Sequence, residues 1–211
     1  MFLNAVNDDV KPLLFEAFPN FLTKRENFYL AGGTALALHL GHRKSADIDF
    51  FSMKEFGVEA LSVQLTRLGG SIQIAEEGTI HAFIGRVKVS FLYYPYHLLK
   101  GLHLYERISI AALEDIACMK VIAISQRSEK KDFYDLYEIL HLLTPAELGS
   151  MVLEKYGRDS VNCFHILKSF FYFSEAEKSL DPISLRNVTW EGVKKYLLEN
   201  EQKLTEIFWQ L

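Results

Sequence analysis

Cysteine is almost missing from this chain. Two thiols, Cys118 and Cys163, occur in 211 residues, and neither has a second ligand type at metal-binding spacing. That excludes a disulfide framework and a thiolate metal site. Both cysteines sit among apolar residues at helical spacing and read as small core residues in a reducing compartment. Long apolar runs are missing as well: none approaches the ~18–20 residues of a membrane span. The start of the chain carries Asp8 and Asp9 and lacks the basic stretch and apolar block of a secretory leader. The expectation is a cytoplasmic protein with no membrane contact. An excess of positive charge is also lacking. Lys and Arg number 23 against 27 Asp and Glu, for a net charge of −4. A globally basic nucleic-acid binder is not supported, although a local basic groove stays compatible with that balance.

Hydrophobic residues make up 49% of the chain and aromatics 13%, including 16 Phe and 10 Tyr. This is a globular composition with an aromatic core, long enough for one domain or one domain with an appendage. The N-terminal segment from Asn7 to Leu22 has helical periodicity, with Asn7, Asp8 or Asp9 as cap and a break at Pro19. From about residue 26 to 95 the pattern reads β-α-β-α-β-β-β. The strands are Phe28–Ala31, Asp47–Phe51, Ser71–Ala75, Thr79–Ile84 and Arg86–Leu92; the helices follow Gly33 and span about Val58 to Leu68. From Ser109 onward the pattern is helical: Leu113 to Gln126, Lys130 to Leu143 with Ser128 as cap, Pro145 to Tyr156, Val161 to Ser174, and Trp190 to Trp209. The predicted fold is α+β. A small mixed sheet with packed helices (1–108) precedes a C-terminal helical region (109–211) expected to pack on it and contribute to its cleft.

The chemistry concentrates in Gly32-Gly33-Thr34 and, thirteen residues after the glycines, Asp47-Ile48-Asp49. Aspartate is disfavoured in strands, and side chains two apart share a face. Two carboxylates on one face repel unless a cation lies between them. Mg²⁺, or Mn²⁺ in its place, suits such a pair because it takes oxygen ligands and bridges carboxylates to phosphates. Gly32 and Gly33 stand at a strand-to-helix turn. There the backbone can approach a phosphate, the helix offers free N–H groups, and Thr34 adds a hydroxyl. Alone, the glycines would read as a tight turn and the aspartates as solvated acids on an edge strand; their order and spacing favour a site.

Glycine pair, short helix and D-x-D strand together resemble the DNA polymerase beta-like nucleotidyltransferase superfamily. The string GGTALALHLGHRKSADIDFF resembles its AbiEii/AbiGii toxin-like branch. The likeness continues in Asp115, Lys120, Arg127, Lys131, Asp132 and Asp135, and spans about residues 28 to 136. It implies a metal-dependent enzyme that moves a nucleoside monophosphate from an NTP to an acceptor hydroxyl and releases pyrophosphate. The setting it implies is toxin–antitoxin or phage defence, with a cognate antitoxin as partner and an RNA or tRNA 3′ end as acceptor. Asp47 and Asp49 are then the metal ligands. Gly32, Gly33, Thr34, Lys88, Arg127 and Lys131 are candidates for nucleotide and phosphate contact. Lys120 and Asp132 are candidates for catalysis; an acid at 132 or 135 can orient Lys120 or Arg127, or supply a base.

One departure stands out. The superfamily places a third carboxylate on a later strand, where this chain has Ser90, on the face shared by Arg86 and Lys88. A serine hydroxyl is a poor metal ligand and no base at neutral pH. Two further readings therefore stay open: a nucleotide-binding module with impaired catalysis, and a transferase acting on protein. His42-Arg43-Lys44 reads either as a loop that steers phosphate or as a solvated one. Tyr93-Tyr94-Pro95-Tyr96 reads as base-stacking or as packing.

Overall fold

The computed structural model describes residues 1–22 and 28–210, the last four as backbone. Residues 26 and 27 of the predicted β/α stretch lie outside that range. The chain forms two compact units, residues 1–41 with 45–112, and residues 42–44 with 113–211.

The first unit opens with α1 (Val10–Pro12), a π-type stretch (Leu13–Ala17) and α2 (Phe18–Leu22), which follow one another in helical geometry. Pro19 does not break this helix, contrary to expectation. The wide π turn comes just before it and accommodates the missing N–H donor. Next come β1 (Phe28–Ala31), α3 (Gly32–Leu40), β2 (Ile48–Ser52), α4 (Val58–Arg67), β3 (Gly70–Glu76), β4 (Thr79–Ile84), β5 (Val87–Tyr93), β6 (Leu102–Tyr105) and β7 (Ile108–Ala111). The strands form one sheet in the order β3-β4-β5-β2-β1-β7-β6. β2 is central, antiparallel to β1 and parallel to β5.

Alternation sorts the two faces. Ile48 and Phe50 on β2 and Val87, Val89 and Phe91 on β5 are buried. Phe50 stacks on Phe91 at 5.2 Å between ring centroids, and Phe18 of α2 meets Phe50 edge-on at 5.0 Å. The aspartates of the D-x-D segment therefore belong to the opposite face.

Sequence periodicity missed the hairpin β6–β7. Its turn is Glu106-Arg107, with φ of 46° and 65°. Paired positive φ values are the signature of a tight hairpin turn, but Asn-Gly or Asp-Gly is the sequence that announces it. β7 also pairs in parallel with β1, at Leu30 opposite Ile110.

The second unit is helical: α5 (Leu113–Arg127), α6 (Lys130–Leu140), α7 (Pro145–Tyr156), α8 (Cys163–Phe170), α9 (Trp190–Glu199) and α10 (Glu201–Gln210). α7 starts on a complete capping box, Thr144 with Glu147. Ser128 does not cap α6 as expected. Its hydroxyl donates back to the Ile124 carbonyl and closes α5 (2.8 Å). The predicted helix from Trp190 to Trp209 is two helices divided at Asn200, whose amide donates to the Tyr196 carbonyl (2.8 Å). Phe133, Phe173 and Trp190 pack together with centroids 5.4–5.7 Å apart. Cys118 is fully buried, and burial pushes its thiol up to about 12, as an inert core residue requires.

The β6–β7 turn yields a prediction. Replacing Glu106-Arg107 with Asn-Gly should stabilise the chain by about 0.5–1 kcal/mol, because those residues adopt positive φ more readily. The exchange gives up the exposed contact from Arg107 to Asn20 (3.3 Å). Urea denaturation should show a higher midpoint with unchanged slope.

Candidate active site

In the first unit, β1 ends in extended geometry at Ala31 and the chain turns through Gly32 (φ +68°) directly into α3. A side chain there would be strained. It would also collide: a Cβ on Gly32 would lie 2.9 Å from the Asp49 Oδ2. Glycine thus lets a carboxylate come against the backbone at the start of a helix. The N-cap residue Ala31 makes no side-chain cap to α3, and a helix N-terminus without such a cap is suited to an anion.

Asp49 is the register partner of Ala31 on β1 and of Ser90 on β5. Asp47 precedes it by two residues, on the same face of the strand direction, and both are half-buried. Gly32 and Gly33 are likewise half-buried. Thr34 is placed differently from expectation. It is 1% exposed, and its hydroxyl is bonded to Ser45 Oγ (2.8 Å) and to the Asp47 carbonyl. It braces the segment entering β2 and is closed to a phosphate. Lys88 is exposed and is the register partner of Phe83 on β4. Ser90 is buried and directly beside Asp49, the place where the superfamily resemblance calls for an acid.

The second unit gathers the other charged candidates into a buried network. Asp135 is 0% exposed. Its carboxylate accepts from His42 Nε2 (2.7 Å), Arg43 Nε (2.7 Å) and Nη2 (2.8 Å), and pairs with Lys120 Nζ (2.6 Å). Asp132, also 0% exposed, accepts from Lys120 (2.9 Å) and from Arg127 Nε (2.8 Å) and Nη2 (2.9 Å). Burial alone would raise both carboxyls. Lys120 and Arg127 instead hold Asp132 at about 2. Arg43, Lys120 and the bonds from His42 and Arg43 hold Asp135 well below the ordinary range. Burial likewise works to lower Lys120, and the two carboxylates overcome it and raise its ammonium.

His42 and Arg43 are therefore neither a solvated loop nor a phosphate-steering one. They are buried, and their backbone joins the second unit through Leu185 N–H to the His42 carbonyl (2.8 Å) and Lys44 N–H to the Ile183 carbonyl (2.9 Å). Arg127 is held by Asp132 yet leaves its side chain 49% exposed. Lys131 sits at the surface and pairs with Glu129 (2.8 Å).

Sequence reasoning missed three features. Asp115 is buried against Lys155 at 2.6 Å, a partner forty residues on. Asp135 finds Arg43 ninety-two residues away. His81 of β4 is the register partner of Ser90. A buried aspartate in an apolar helix implies a cation, but spacing alone does not identify which one. Tyr94 packs edge-on against Phe51 (5.5 Å) and against Tyr96 (4.9 Å), the packing alternative for that segment.

Comparison with known proteins adds to this geometry. The family model described as "Nucleotidyl transferase AbiEii toxin, Type IV TA system" matches residues 14–102 and 97–202. An uncharacterized protein of Aquifex aeolicus (strain VF5) is 36% identical over 185 residues, 83% of this chain and 84% of that protein. JHP933 from Helicobacter pylori superposes with a TM-score of 0.56 at 17% identity, over 97% of this chain and 96% of its own. ANT(2'')-Ia, solved in complex with adenylyl-2''-tobramycin, gives 0.52 at 15% identity, over 70% of this chain and 97% of its own. At these identities the two structures share the fold.

The network makes acid sensitivity predictable. Carboxyls depressed on folding contribute stability above their unfolded value, ~4, and lose it as pH falls toward the folded one. Unfolding free energy should therefore be flat above about pH 5 and drop between about pH 4 and 2, with on the order of 2 kcal/mol from Asp132. Asp135→Ala should cost about 3–5 kcal/mol at pH 7, because it removes the carboxylate that Arg43 binds and leaves Lys120 with Asp132 alone. Denaturant titration at several pH values measures both.

Proposed function

The chain belongs to the AbiEii nucleotidyl transferase toxin family of type IV toxin–antitoxin systems, and on that premise we propose that it transfers a nucleoside monophosphate from an NTP to an acceptor hydroxyl, using a divalent cation. Its membership makes it a nucleotidyltransferase. The nucleotide donor, the metal and the acceptor are our reading. The observation that carries this reading is the approach of the Asp49 carboxylate to Gly32, where a carboxylate and an uncapped helix start come together.

Nucleotidyl transfer depends on positioning and charge neutralisation more than on covalent chemistry. Asp47 and Asp49 suit Mg²⁺ or Mn²⁺. Among the described residues no three His, Cys, Asp or Glu side chains assemble into a metal cage. A two-carboxylate set leaves coordination positions for phosphate oxygens and water, as Mg²⁺ prefers. Such a cation, when bound, would neutralise charge on the phosphates. The Gly32 and Gly33 backbone receives phosphate oxygens, and the exposed Lys88 adds a positive charge on β5. In the second unit we assign phosphate contact to Arg127, whose guanidinium is fixed by Asp132 and half-open. Lys120 and Asp132 then act as its support. Lys131, paired with Glu129, contributes little.

For the acceptor we favour an RNA 3′ hydroxyl, with a cognate antitoxin as the partner the family implies. Burial of His42, Arg43 and Lys120 withdraws much of the basic rim that sequence suggests, so RNA attraction rests on Arg86, Lys88 and Arg127. A second reading, an NTP-binding module without turnover, is favoured by the single fact that Ser90 stands beside Asp49.

Labelled NTPs, Mg²⁺ and total RNA provide the test. The expected outcome is label on RNA with release of pyrophosphate. Label on protein instead would overturn the acceptor assignment, and NTP binding with no release would favour the second reading. Asp49→Ala should abolish metal-dependent NTP binding measured by calorimetry. Gly32→Ala should weaken that binding and cost about 1–3 kcal/mol of stability through its strained backbone. If Asp49→Ala leaves binding intact, the cation lies elsewhere.

A further inference from the structure

His81 on β4 is the register partner of Ser90 on β5, and Ser90 is the register partner of Asp49 on β2. Register partners on neighbouring strands share a face. Asp49, Ser90 and His81 therefore form one row across three adjacent strands, spaced about 4.8 Å per strand. Phe83 and Lys88 make the next pair along β4 and β5 on that face. The His81 side chain is half-buried, and its Nδ1 is enclosed with no hydrogen-bond partner among the described residues. An enclosed, unmatched nitrogen costs about 1–3 kcal/mol and is uncommon in native proteins. Its position in the carboxylate row gives that cost a functional reason.

The other candidates for a proton acceptor are poor. The Ser90 hydroxyl is no base at neutral pH. Asp132 is buried and holds charge-assisted bonds from Lys120 and Arg127. Burial and then Lys88 keep the His81 imidazole below its ordinary value, against the pull of Asp49. The ring is thus neutral, with a lone pair, near pH 7.

Resting on the function proposed above, we infer that His81 is a further catalytic residue: its imidazole takes the proton of the attacking acceptor hydroxyl, a task for which the Ser90 position offers no base. As the acceptor O–H bond breaks, its proton passes to Nε2, since Nδ1 is enclosed, and its oxygen bonds to the α-phosphorus of the NTP. The bond from that phosphorus to the bridging oxygen breaks, and pyrophosphate leaves with the electron pair. The imidazolium then returns its proton to water. This places the base on β4, one strand beyond the position where the resemblance expects a carboxylate.

The test uses the full chain with labelled NTP, Mg²⁺ and total RNA as acceptor pool, following pyrophosphate release. His81→Ala and His81→Gln should each lower kcat by about 10²-fold or more, the range for loss of a general base. KM for NTP, calorimetric NTP binding and the melting temperature should stay unchanged, and added imidazole should restore turnover to His81→Ala. A folded variant with unaltered kcat overturns the inference. So does a loss that imidazole fails to relieve and that follows a fall in NTP affinity. If His81→Ala does not fold, His81→Gln and His81→Phe decide by the same kcat and KM comparison. Wild-type chain that binds NTP but labels no acceptor overturns the proposed function and this inference with it. An active wild type with an equally active His81→Ala overturns the inference alone.

Discussion

Asp135 is the constraint from which the second unit is built. A carboxylate with no exposed surface must be neutralised where it stands, since an isolated buried charge is prohibitively costly. Three residues converge on it: His42, Arg43 and Lys120. Lys120 is itself 3% exposed and needs more than one carboxylate around it; Asp132 supplies the second and fixes Arg127 through both of its oxygens. Removing any member leaves its partners with fewer counter-charges. Such a set is a weak source of net stability compared with apolar packing, but it tolerates only one arrangement of α5, α6 and the 42–44 segment. Apolar residues at the same positions would fill the space without dictating which residue meets which.

The first unit follows a different constraint, one of space. The Asp49 carboxylate sits where a side chain on Gly32 would be. The turn after β1 must therefore be glycine, for its φ and for its lack of a Cβ together. Thr34 and Ser45 hold the two ends of the intervening segment at 2.8 Å, and the Thr34 hydroxyl also meets the Asp47 carbonyl. The positions of both aspartates are thus set by neutral hydrogen bonds and backbone geometry. Among the described residues no ion pair consumes their charge, unlike that of Asp132 and Asp135. Acids held in place without a protein counter-charge are what a cation site requires.

The sheet centre was legible in the sequence because strand alternation and glycine punctuation coincide there. β1 and β4 match their predicted bounds, and β2 and β5 shift by one residue. The edge hairpin was hidden because Glu106-Arg107 adopts a turn that its composition does not signal. Pro19 misled because a π turn absorbed it, and Asn200 divided what helical periodicity joined. The D-x-D segment was legible as a candidate since two acids in an apolar strand violate local preference. The Asp135 network was legible only in its local part, an acid at 132 or 135 orienting Lys120 or Arg127; charge order along the chain carries no information on His42 and Arg43, more than ninety residues away. His81 was invisible for a related reason: a lone histidine on a strand has no motif, and only cross-strand register places it in line with Asp49.

The same network decides how this chain can attract phosphate. Its net charge is −4, and several of its strongest cations point inward: Arg43, Lys120 and Lys155 are each about 3% exposed and bound to aspartates. Exchanging those aspartates for phosphate would leave buried anions unmatched, so these groups are not available to a ligand. Lys130 and Lys131 have surface partners, Asp181 and Glu129. The exposed pair of Lys131 with Glu129 is worth at most about 1 kcal/mol, so it can be exchanged but attracts weakly, and Lys130 is itself buried. Broad electrostatic capture of a nucleic acid therefore has little to work with here. What remains is local: in the first unit the start of α3, the cation proposed for Asp47 and Asp49 and the exposed Lys88, and in the second unit the half-open Arg127. Each acts over a few ångströms and demands a correctly placed phosphate. Selection of a phosphate by placement, rather than by long-range charge, is the behaviour this distribution of residues supports.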